Sequence, residues 1–371
     1  MVQRPKVLLL IPHLGGGGAE RVTALLTRGL SAQKYEVHLG LITEAVTASD
    51  LIPDSVRIHS LGVRRVRSAA LPLLRLVRQL EPDVIVSGMA HLNFLVLLLR
   101  PFFPRKTRVV VRQNATVSGD LCSERVPAYT RFLYQMLYPS ADRIVCQTDA
   151  MAADLVLQSG VVEAQLEVLP NPVDDEAIRS PMSEFAGHWS GLGPNLLAVG
   201  RLSREKGFDL LLEAFSSLRL KYPAAQLCVL GDGPERAALE ALRLDLRLEA
   251  WVQFAGYVSR PESFFPEATL FVLPSRQEGL PNALLEAAMG GLGVVALPCS
   301  DGVVSLLRGR RGAWVASEVS ARGLTRALLA ALHAIRPGER FPHPWVEPFR
   351  MDRAILDYER LIDEALQERA R

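Results

Sequence analysis

The stretch LLAVGRLSREKGFD at residues 196–209 contains the pattern that decides the fold. It begins with a short apolar run, continues into a basic loop with Arg201 and Lys206, and ends at the start of a helical pattern. Short apolar runs that alternate with helical segments are typical of βαβ units on a parallel sheet. The stretch therefore predicts a strand with a charged loop at its carboxyl end, where α/β sheets bind their ligands.

The same alternation runs along the chain in two series. Amphipathic segments such as residues 20–33 and 73–80 separate the apolar runs. A stretch crowded with proline and glycine, residues 173–194, predicts a linker between the series. The predicted strands are residues 7–11, 37–42, 56–59, 84–87, 109–112 and 144–147 in the first series, and 196–200, 227–230, 252–255, 270–273 and 294–297 in the second.

Two doubly wound α/β domains facing a central cleft are the architecture that this pattern predicts. A chain of 371 residues fits two or three domains at about 150 residues each. We expect the first domain over residues 1–180 and the second over residues 181–350. Residues 351–371 form a long charged helical pattern, which is expected to pack back on the first domain.

Composition excludes several classes of protein. Hydrophobic residues make up 49% of the chain, which excludes disorder of the whole chain. The 42 Lys and Arg residues nearly balance 40 Asp and Glu, which argues against a dedicated nucleic-acid binder. No secretory signal and no apolar stretch of about 18 residues are visible, so no transmembrane helix is expected. Cys122, Cys146, Cys228 and Cys299 are too scattered for a metal site and favour a reduced, cytoplasmic compartment.

A glycine-rich loop, HLGGGGAER at residues 13–21, follows the first predicted strand. Gly16 and Gly17 have no Cβ atoms, so the backbone can approach a ligand, and the next helix offers free N–H groups to a phosphate. The spacing matches neither a P-loop nor a dinucleotide fingerprint. A tight strand-to-helix turn without a ligand is the alternative interpretation.

The basic loop after residue 200 is the second candidate. Arg201 and Lys206 flank this loop and could together neutralise a diphosphate, Arg201 as a fork of donors and Lys206 as a point charge. Lysine is rare in this chain, which weakens the alternative of an ordinary solvated basic loop.

Two carboxylates eight residues apart, Glu278 and Glu286, are the third candidate. Pro281 suits the first position of a helix, which places Glu286 inside the helix and Glu278 before it. Both carboxylates can then reach one ligand from different heights, and carboxylates accept hydrogen bonds from the paired hydroxyls of sugars. Two exposed glutamates on a surface helix are the alternative.

Taken in order, these motifs resemble those of a retaining glycosyltransferase of the GT-B fold, in the large group often called family 4. The resemblance covers nearly the whole chain, and the E-x7-E pair of Glu278 and Glu286 is its most diagnostic element. Any one motif is weak, but six in order are specific. The matching segments are residues 17–21, 171–174 (NPVD), 200–212, 231–235 (GDGPE), 254–258 (FAGYV) and 274–279 (PSRQEG).

The resemblance implies roles for residues of the second domain, which would bind a nucleotide sugar. Arg201 and Lys206 would bind the donor diphosphate and stabilise the charge on the leaving nucleotide. Glu278 would contact the donor sugar ring, and Glu286 would hold the nucleotide ribose. The further contacts implied are Gly279 and Leu280 near the sugar, and Gly256, Tyr257 and Val258 beside the base.

The resemblance also implies that Gly16 and Gly17 close over the phosphates and that Asn171, in the interdomain NPVD segment, contacts substrate. It implies no metal, no other cofactor and no protein nucleophile, and no D-x-D triplet is present. The sequence departs from the family in two places. Arg112-Gln113-Asn114 stands where many relatives carry a histidine facing the donor sugar; Asn114 can hydrogen-bond a sugar hydroxyl but cannot titrate. In residues 293–306 the family's proline and glutamate are missing.

The first domain is expected to bind the acceptor, and it has a basic and apolar character. Residues 91–108 combine an apolar run with Phe102 and Phe103, followed by Arg105, Lys106 and Arg108. Such a helix can lie on an anionic membrane surface, which fits relatives that extend lipid-linked glycans, or it can be an ordinary buried helix. The additional cations before it are Arg64, Arg65, Arg67, Arg75 and Arg78.

The resulting prediction is a metal-independent, retaining glycosyltransferase at the cytoplasmic face of the membrane. It moves a hexose or N-acetylhexosamine from a nucleotide-diphosphate sugar, with UDP as the expected nucleotide, to a glycan or lipid-linked glycan. One alternative is a phosphorylase or nucleotide-sugar hydrolase on the same fold. Another is a catalytically silent binding or scaffold subunit, which the two departures favour and the retained Arg201, Lys206, Glu278 and Glu286 oppose.

Overall fold

A computed structural model describes residues 4–15, 17–43, 52–121, 129–179, 189 and 193–367. Gly16 and Cys122 lie outside these residues. The contacts divide the chain into two compact units, one of Met1–Pro172 with Phe349–Arg371 and one of Val173–Pro348. The sequence analysis placed the boundary after residue 180, whereas the helix Asp175–Arg179 falls in the second unit.

Strands and helices alternate along the described residues, as the sequence pattern predicts. The strands are β1 (Lys6–Ile11), β2 (Glu36–Leu41), β3 (Arg57–Ser60), β4 (Val84–Gly88), β5 (Arg108–Arg112), β6 (Arg143–Cys146), β7 (Leu166–Val168), β8 (Asn195–Val199), β9 (Gln226–Leu230), β10 (Val252–Gly256), β11 (Leu270–Leu273), β12 (Gly293–Ala296) and β13 (Ala313–Val315). The helices are α1 (Gly18–Gly29), α2 (Ala70–Leu80), α3 (Ala90–Leu99), α4 (Val117–Leu121), α5 (Thr130–Leu137), α6 (Asp149–Ser159), α7 (Asp175–Arg179), α8 (Phe208–Arg219), α9 (Arg236–Asp245), α10 (Asn282–Met289), α11 (Asp301–Leu307), α12 (Ala321–Ala334) and α13 (Met351–Gln367). The eleven predicted strands are confirmed to within one residue at each end, and β7 and β13 were not predicted.

The first unit is built on a parallel sheet in the order β3-β2-β1-β4-β5-β6-β7. Alternate residues of its strands enter two apolar cores, one on each face of the sheet. The C-terminal helix α13 belongs to this unit, with Tyr358 and Ile362 buried among the strands and Ile355 packed against Gly29 of α1. Gly29 is the last residue of α1, which ends short of the predicted residue 33 because Leu30 leaves the helical conformation.

The second unit is built on a parallel sheet in the order β10-β9-β8-β11-β12-β13. Phe208, Leu211 and Phe215 bury the apolar face of α8 in its core, and Leu324 and Leu328 do the same for α12. Because all of these strands are parallel, the loops that follow them lie at one edge of the sheet. The basic loop and the E-x7-E segment follow β8 and β11, which are hydrogen-bonded neighbours.

Helix α3, which the sequence analysis considered as a membrane-facing segment, is mostly part of the core. Val96, Leu97 and Leu99 are buried, whereas Leu98 and the following Phe102 are exposed. Within the described residues, no helix combines the length and the apolar character that crossing a membrane requires.

Candidate active site

The candidate site of the second unit lies at the carboxyl edge of its sheet, where glycines allow three loops to pack closely. Gly207 closes the basic loop with a φ of +64°, and a Cβ there would overlap the Pro274 carbonyl oxygen. Gly231, which follows β9, has a φ of +137°, and a Cβ there would overlap the Gly200 carbonyl oxygen. Only glycine adopts these positions without strain. The glycines therefore hold the loops after β8, β9 and β11 against one another.

Lys206 and Glu278 form the central contact of this site. Lys206 Nζ lies 2.7 Å from Glu278 Oε1, and the side chains are 28% and 10% exposed. The Ser275 hydroxyl donates to the same carboxylate oxygen at 2.6 Å. Two donors therefore converge on Oε1, which fixes the Glu278 carboxylate and joins two residues that the sequence analysis placed in separate motifs.

A second ion pair, between Arg276 and Asp209, stabilises the basic loop. Arg276 makes two hydrogen bonds of 2.6 Å to the Asp209 carboxylate and donates its backbone N–H to the Glu205 carbonyl oxygen at 2.8 Å. Burial raises the pKa of Asp209, but the hydrogen bonds and the positive charge of Arg276, together with backbone hydrogen bonds, outweigh burial, so the pKa lies below its ordinary value. Arg276 thus ties the segment that carries Glu278 to the loop that carries Lys206.

The other predicted residues of this unit are distributed around the same edge. Arg201 is exposed at the beginning of the basic loop, and Glu286 is buried in α10. Gly256 has a φ of +76° and accepts a hydrogen bond from the Gly231 N–H at 2.7 Å, which brings the end of β10 to the end of β9. After it, Tyr257 is exposed and Val258 is partly exposed; Gly279 is partly exposed and Leu280 is buried. The binding roles of these residues stay predictions.

Asn114 and Asn171 lie in the first unit, and their side chains have protein partners. Asn171 is buried, and its Oδ1 accepts a hydrogen bond from Nη2 of the buried Arg112 at 2.9 Å. Arg112 Nε donates to the Tyr358 hydroxyl of α13 at 2.8 Å. Asn114 is partly buried at the carboxyl end of β5, where its Oδ1 accepts from Gln147 at 3.2 Å. A structural contact is therefore shown for Asn171, and substrate binding by either residue stays a prediction.

The glycine-rich loop also has a specific internal packing. Gly17 precedes α1, and a Cβ at this position would overlap the Glu20 carboxylate. Gly16 lies outside the described residues. The closeness of Glu20 accounts for one glycine of the loop without a ligand, and phosphate binding by Gly17 stays a prediction.

Sequence reasoning missed Ser275, Arg276 and Cys299 around the Lys206–Glu278 pair. Ser275 and Arg276 directly follow β11 and stood inside a quoted motif, so their place at a strand end was the available signal. Burial, together with the negative charge of Glu278, raises the pKa of the Cys299 thiol to about 12, so this thiol is neutral beside the site. Within the described residues, no cluster of three or more His, Cys, Asp or Glu side chains could hold a metal ion.

Two family models match the chain. The model described as Glycosyltransferase Family 4 matches residues 16–177, and the model described as Glycosyl transferases group 1 matches residues 193–334. Together they span most of both units.

Individual glycosyltransferases are also similar to this chain in sequence or in structure. A Campylobacter jejuni N-acetylgalactosamine-N,N'-diacetylbacillosaminyl-diphospho-undecaprenol 4-alpha-N-acetylgalactosaminyltransferase is 30% identical over 308 residues, which are 80% of each chain. The Erwinia amylovora amylovoran biosynthesis glycosyltransferase AmsD is 24% identical over 82% of this chain and 84% of its own. The structure of Anabaena Alr3699/HepE in complex with UDP and glucose superposes with a TM-score of 0.81 at 16% identity, over 97% of this chain and all of its own. A sucrose-phosphate synthase from Thermosynechococcus elongatus superposes with a TM-score of 0.79 at 17% identity, over 98% of this chain and all of its own.

Proposed function

Because the chain belongs to the group 1 glycosyltransferases of family 4, which have the GT-B fold, we propose that it transfers a hexose or N-acetylhexosamine from a UDP-sugar with retention. The acceptor in this proposal is a glycan, or a glycan linked to a lipid. The observation that carries the donor part is the convergence of Lys206 and Ser275 on one oxygen of Glu278.

Arg201 and Lys206 would act on the leaving group. The bond between the sugar and the diphosphate breaks with its electron pair on the diphosphate, so negative charge develops there in the transition state. Fixed cations stabilise such charge strongly because they need no reorganisation during the reaction. Two cations on one loop can supply this charge, and for that reason the proposal requires no metal or other cofactor.

Glu278 and Glu286 would bind the hydroxyls of the donor. Glu278 Oε1 already accepts two protein hydrogen bonds, which leaves Oε2 of this carboxylate to accept from a hydroxyl of the donor sugar. Glu286, held in α10, would accept from the ribose, with the Gly279 and Leu280 amides near the sugar and Gly256, Tyr257 and Val258 beside the base. The choice of UDP is supported by the UDP complex of HepE.

The acceptor part of the proposal is supported by the relatives. The Campylobacter enzyme is named for a diphospho-undecaprenol substrate, and AmsD for amylovoran biosynthesis. The first unit has an apolar surface that suits a lipid-linked acceptor. Leu98 and Phe102 at the end of α3 and Phe132 and Met136 on α5 are exposed, and α3 packs against α5. An apolar surface with cations at its border can adsorb to the cytoplasmic face of an anionic membrane.

The first experiment is thermal stabilisation against UDP, GDP, ADP, CMP and their sugars. A bound ligand raises the melting temperature according to its concentration over Kd, so the assay needs no acceptor. We expect a shift with UDP and UDP-sugars that Lys206→Ala abolishes. A shift with another nucleotide alone would reject UDP, and no shift with any of them would favour the silent scaffold subunit.

Turnover then separates the remaining alternatives. The purified enzyme is incubated with the UDP-sugar identified by binding, with and without undecaprenyl-diphosphate-linked glycans. We expect the enzyme to release UDP only when a glycan acceptor is present. The anomeric proton coupling of the product should show the same configuration as the donor, and an inverted product would reject retention. Release of UDP with water or phosphate at the same rate would identify a hydrolase or a phosphorylase.

Membrane binding is tested by sedimentation with vesicles. Vesicles with anionic lipid should bring down the wild-type protein at low salt, and neutral vesicles should not. The Phe132→Ser/Met136→Ser variant should sediment much less while still binding UDP. Equal sedimentation of this variant and the wild type would reject the apolar surface as the contact.

A further inference from the structure

A pocket of the second unit lies at the amino edge of its sheet, opposite the edge that carries Lys206 and Glu278. It is formed where β13 begins, where α12 ends and where the chain turns after α12. Its volume is about 470 Å³, which is within the range of small-molecule sites, about 300–1,000 Å³. The residues of its wall that carry charge or a large ring are Arg310, Arg311, Trp314, Arg336, Glu339 and Phe341.

One of the three arginines, Arg311, already has a carboxylate partner. Its Nη2 lies 3.0 Å from Glu339 Oε1, and its Cζ lies 5.9 Å from the centroid of the Phe341 ring. The backbone N–H of Arg336 donates to the other oxygen of Glu339 at 3.0 Å. The hydrogen bonds from the Arg336 N–H and from Arg311 lower the pKa of Glu339. The carboxylate is therefore ionised, both of its oxygens are occupied, and it balances the charge of Arg311.

The other two arginines, Arg310 and Arg336, leave the pocket with two positive charges. Both residues are exposed, and within the described residues no carboxylate forms an ion pair with either guanidinium. Arg310 Nε donates to the Leu306 carbonyl oxygen at 2.7 Å, which leaves the two terminal nitrogens of this guanidinium as donors. A guanidinium presents its donors as a planar fork that matches the oxygens of a phosphate. The pocket therefore offers two such forks to an anionic ligand.

A tight turn fixes the backbone of Arg336. Residues 336–339 have the sequence RPGE, and the Glu339 N–H donates to the Arg336 carbonyl oxygen at 3.0 Å. Gly338 supplies a φ of +74° at the third position. Proline at the second position and glycine with a positive φ at the third are typical of a type II turn. The turn therefore places Arg336 in the wall of the pocket through its own local sequence.

Two aromatic rings form another part of the same wall. Phe341 is buried, and the partly exposed Trp314 meets its ring edge-to-face, with the centroids 6.0 Å apart and an interplanar angle of 82°. A side chain at Gly312 would overlap the Phe341 ring, so glycine allows this ring to pack against the beginning of β13. Aromatic side chains offer a large apolar surface against which a ring of a ligand can pack. The pocket thus combines cations with an apolar surface, which suits a ligand that has both a phosphate and an organic part.

We propose that this pocket binds a soluble phosphate ester, with the phosphoryl group held by Arg310 and Arg336 and the organic part packed against Trp314. A phosphate monoester carries a charge of about −1.5 to −2 at pH 7, which matches the two positive charges of the pocket. The pocket and the candidate active site lie at opposite edges of the second sheet. The proposal therefore goes beyond the proposed function and does not depend on it.

Calorimetry with glucose 1-phosphate, inorganic phosphate and glucose tests this assignment. We expect glucose 1-phosphate to bind more tightly than inorganic phosphate, and glucose not to bind. Arg310→Gln/Arg336→Gln should raise the Kd for glucose 1-phosphate about 10-fold or more, because charge-assisted hydrogen bonds are lost. Arg322→Gln/Arg326→Gln is the matched control, because it removes two exposed arginines of α12 and the same amount of charge. The control should keep the wild-type Kd, and both double variants should unfold at nearly the wild-type urea concentration.

Lys206→Ala separates this pocket from the candidate active site. This variant should bind glucose 1-phosphate with the wild-type Kd, and loss of binding would overturn the proposal, because the ester would then bind beside Glu278. An unchanged Kd in Arg310→Gln/Arg336→Gln would also overturn it, and equal affinity for inorganic phosphate would reject the ester.

Sedimentation with phosphatidylglycerol vesicles distinguishes a soluble phosphate from a lipid headgroup. Arg310→Gln/Arg336→Gln should sediment with these vesicles as the wild type does. Loss of sedimentation in this variant, together with no binding of glucose 1-phosphate to the wild type, would overturn the proposal and assign the pocket to lipid headgroups.

Discussion

Removal of the Lys206 ammonium, in Lys206→Met, should reduce both stability and turnover. The Glu278 carboxylate is 10% exposed and would keep only the Ser275 hydroxyl among its described partners. Breaking a fully buried ion pair costs about 3–5 kcal/mol and breaking an exposed pair about 0–1 kcal/mol. Lys206 is 28% exposed, which is between these cases, so we expect a loss of about 1–3 kcal/mol.

Turnover should respond differently from stability when the partner is also changed. Lys206→Met should lower kcat by about 10²-fold, the scale for loss of a contact to transition-state charge. Adding Glu278→Gln removes the unpaired buried charge, so the double variant should unfold at a higher denaturant concentration than Lys206→Met. Its turnover should stay at or below that of either single variant, because both side chains are proposed to contact the donor.

The wild type, the two single variants and the double variant form a double-mutant cycle. Urea denaturation gives the free energy of unfolding of each of these four proteins, and initial rates with saturating donor give kcat. Arg311→Met is the matched control, because Arg311 pairs with Glu339 at 3.0 Å but is 79% exposed. It should lose less than about 1 kcal/mol and keep its turnover. Recovery of turnover together with stability in the double variant would refute the reasoning, since the pair would then serve only the fold.

Three further predictions follow from other contacts. Glu286→Gln should raise the Kd for UDP about 10-fold or more by calorimetry, with kcat little changed, because the charged hydrogen bond proposed between Glu286 and the ribose would be weakened. Gly207→Ala should cost about 2–4 kcal/mol in urea denaturation from its positive φ and its overlap with backbone, whereas Gly338→Ala, at a φ of +74° with open space, should cost about 1 kcal/mol. Burial lowers the pKa of both His38 and His59, so the folded state disfavours their protonation; their stability contribution is full above about pH 6.5 and is lost as pH falls through the folded pKa values. The melting temperature should therefore decrease less between pH 8 and pH 5 in His38→Gln than in the wild type. An equal decrease in both proteins would contradict this.

The sequence predicted the positions of most strands in each half well because its signals are local. An apolar, β-branched run or a glycine-containing loop can be recognised from its own residues, and the eleven strands predicted in this way are present. β7 and β13, which have three residues each, carry too few side chains to produce a periodic pattern. Their place in the sheets is decided by pairing with β6 and β12.

The contacts of the site could be predicted only in part, because its partners are far apart in the chain. Lys206 and Glu278 are 72 residues apart, and the sequence alone does not say that they meet. The motifs indicated which residues matter at this edge, and the structure adds that Ser275 and Lys206 share one oxygen of Glu278. The same limitation affected Asn171, whose partner Arg112 lies 59 residues earlier.

The glycines of the two candidate loops have different physical causes, although the sequence presents them alike. Gly207 and Gly231 are required by positive φ angles and by backbone packed against backbone, so their role is to assemble the loops that carry Lys206 and Glu278. Gly17 has ordinary extended angles, and the atom it makes room for is a carboxylate oxygen of Glu20. The Glu20 side chain lies in the first turn of α1, at the positive end of the helix dipole, where carboxylates are favoured. For this loop, the structure accounts for Gly17 by the Glu20 carboxylate that it admits, and phosphate binding by the loop stays a prediction.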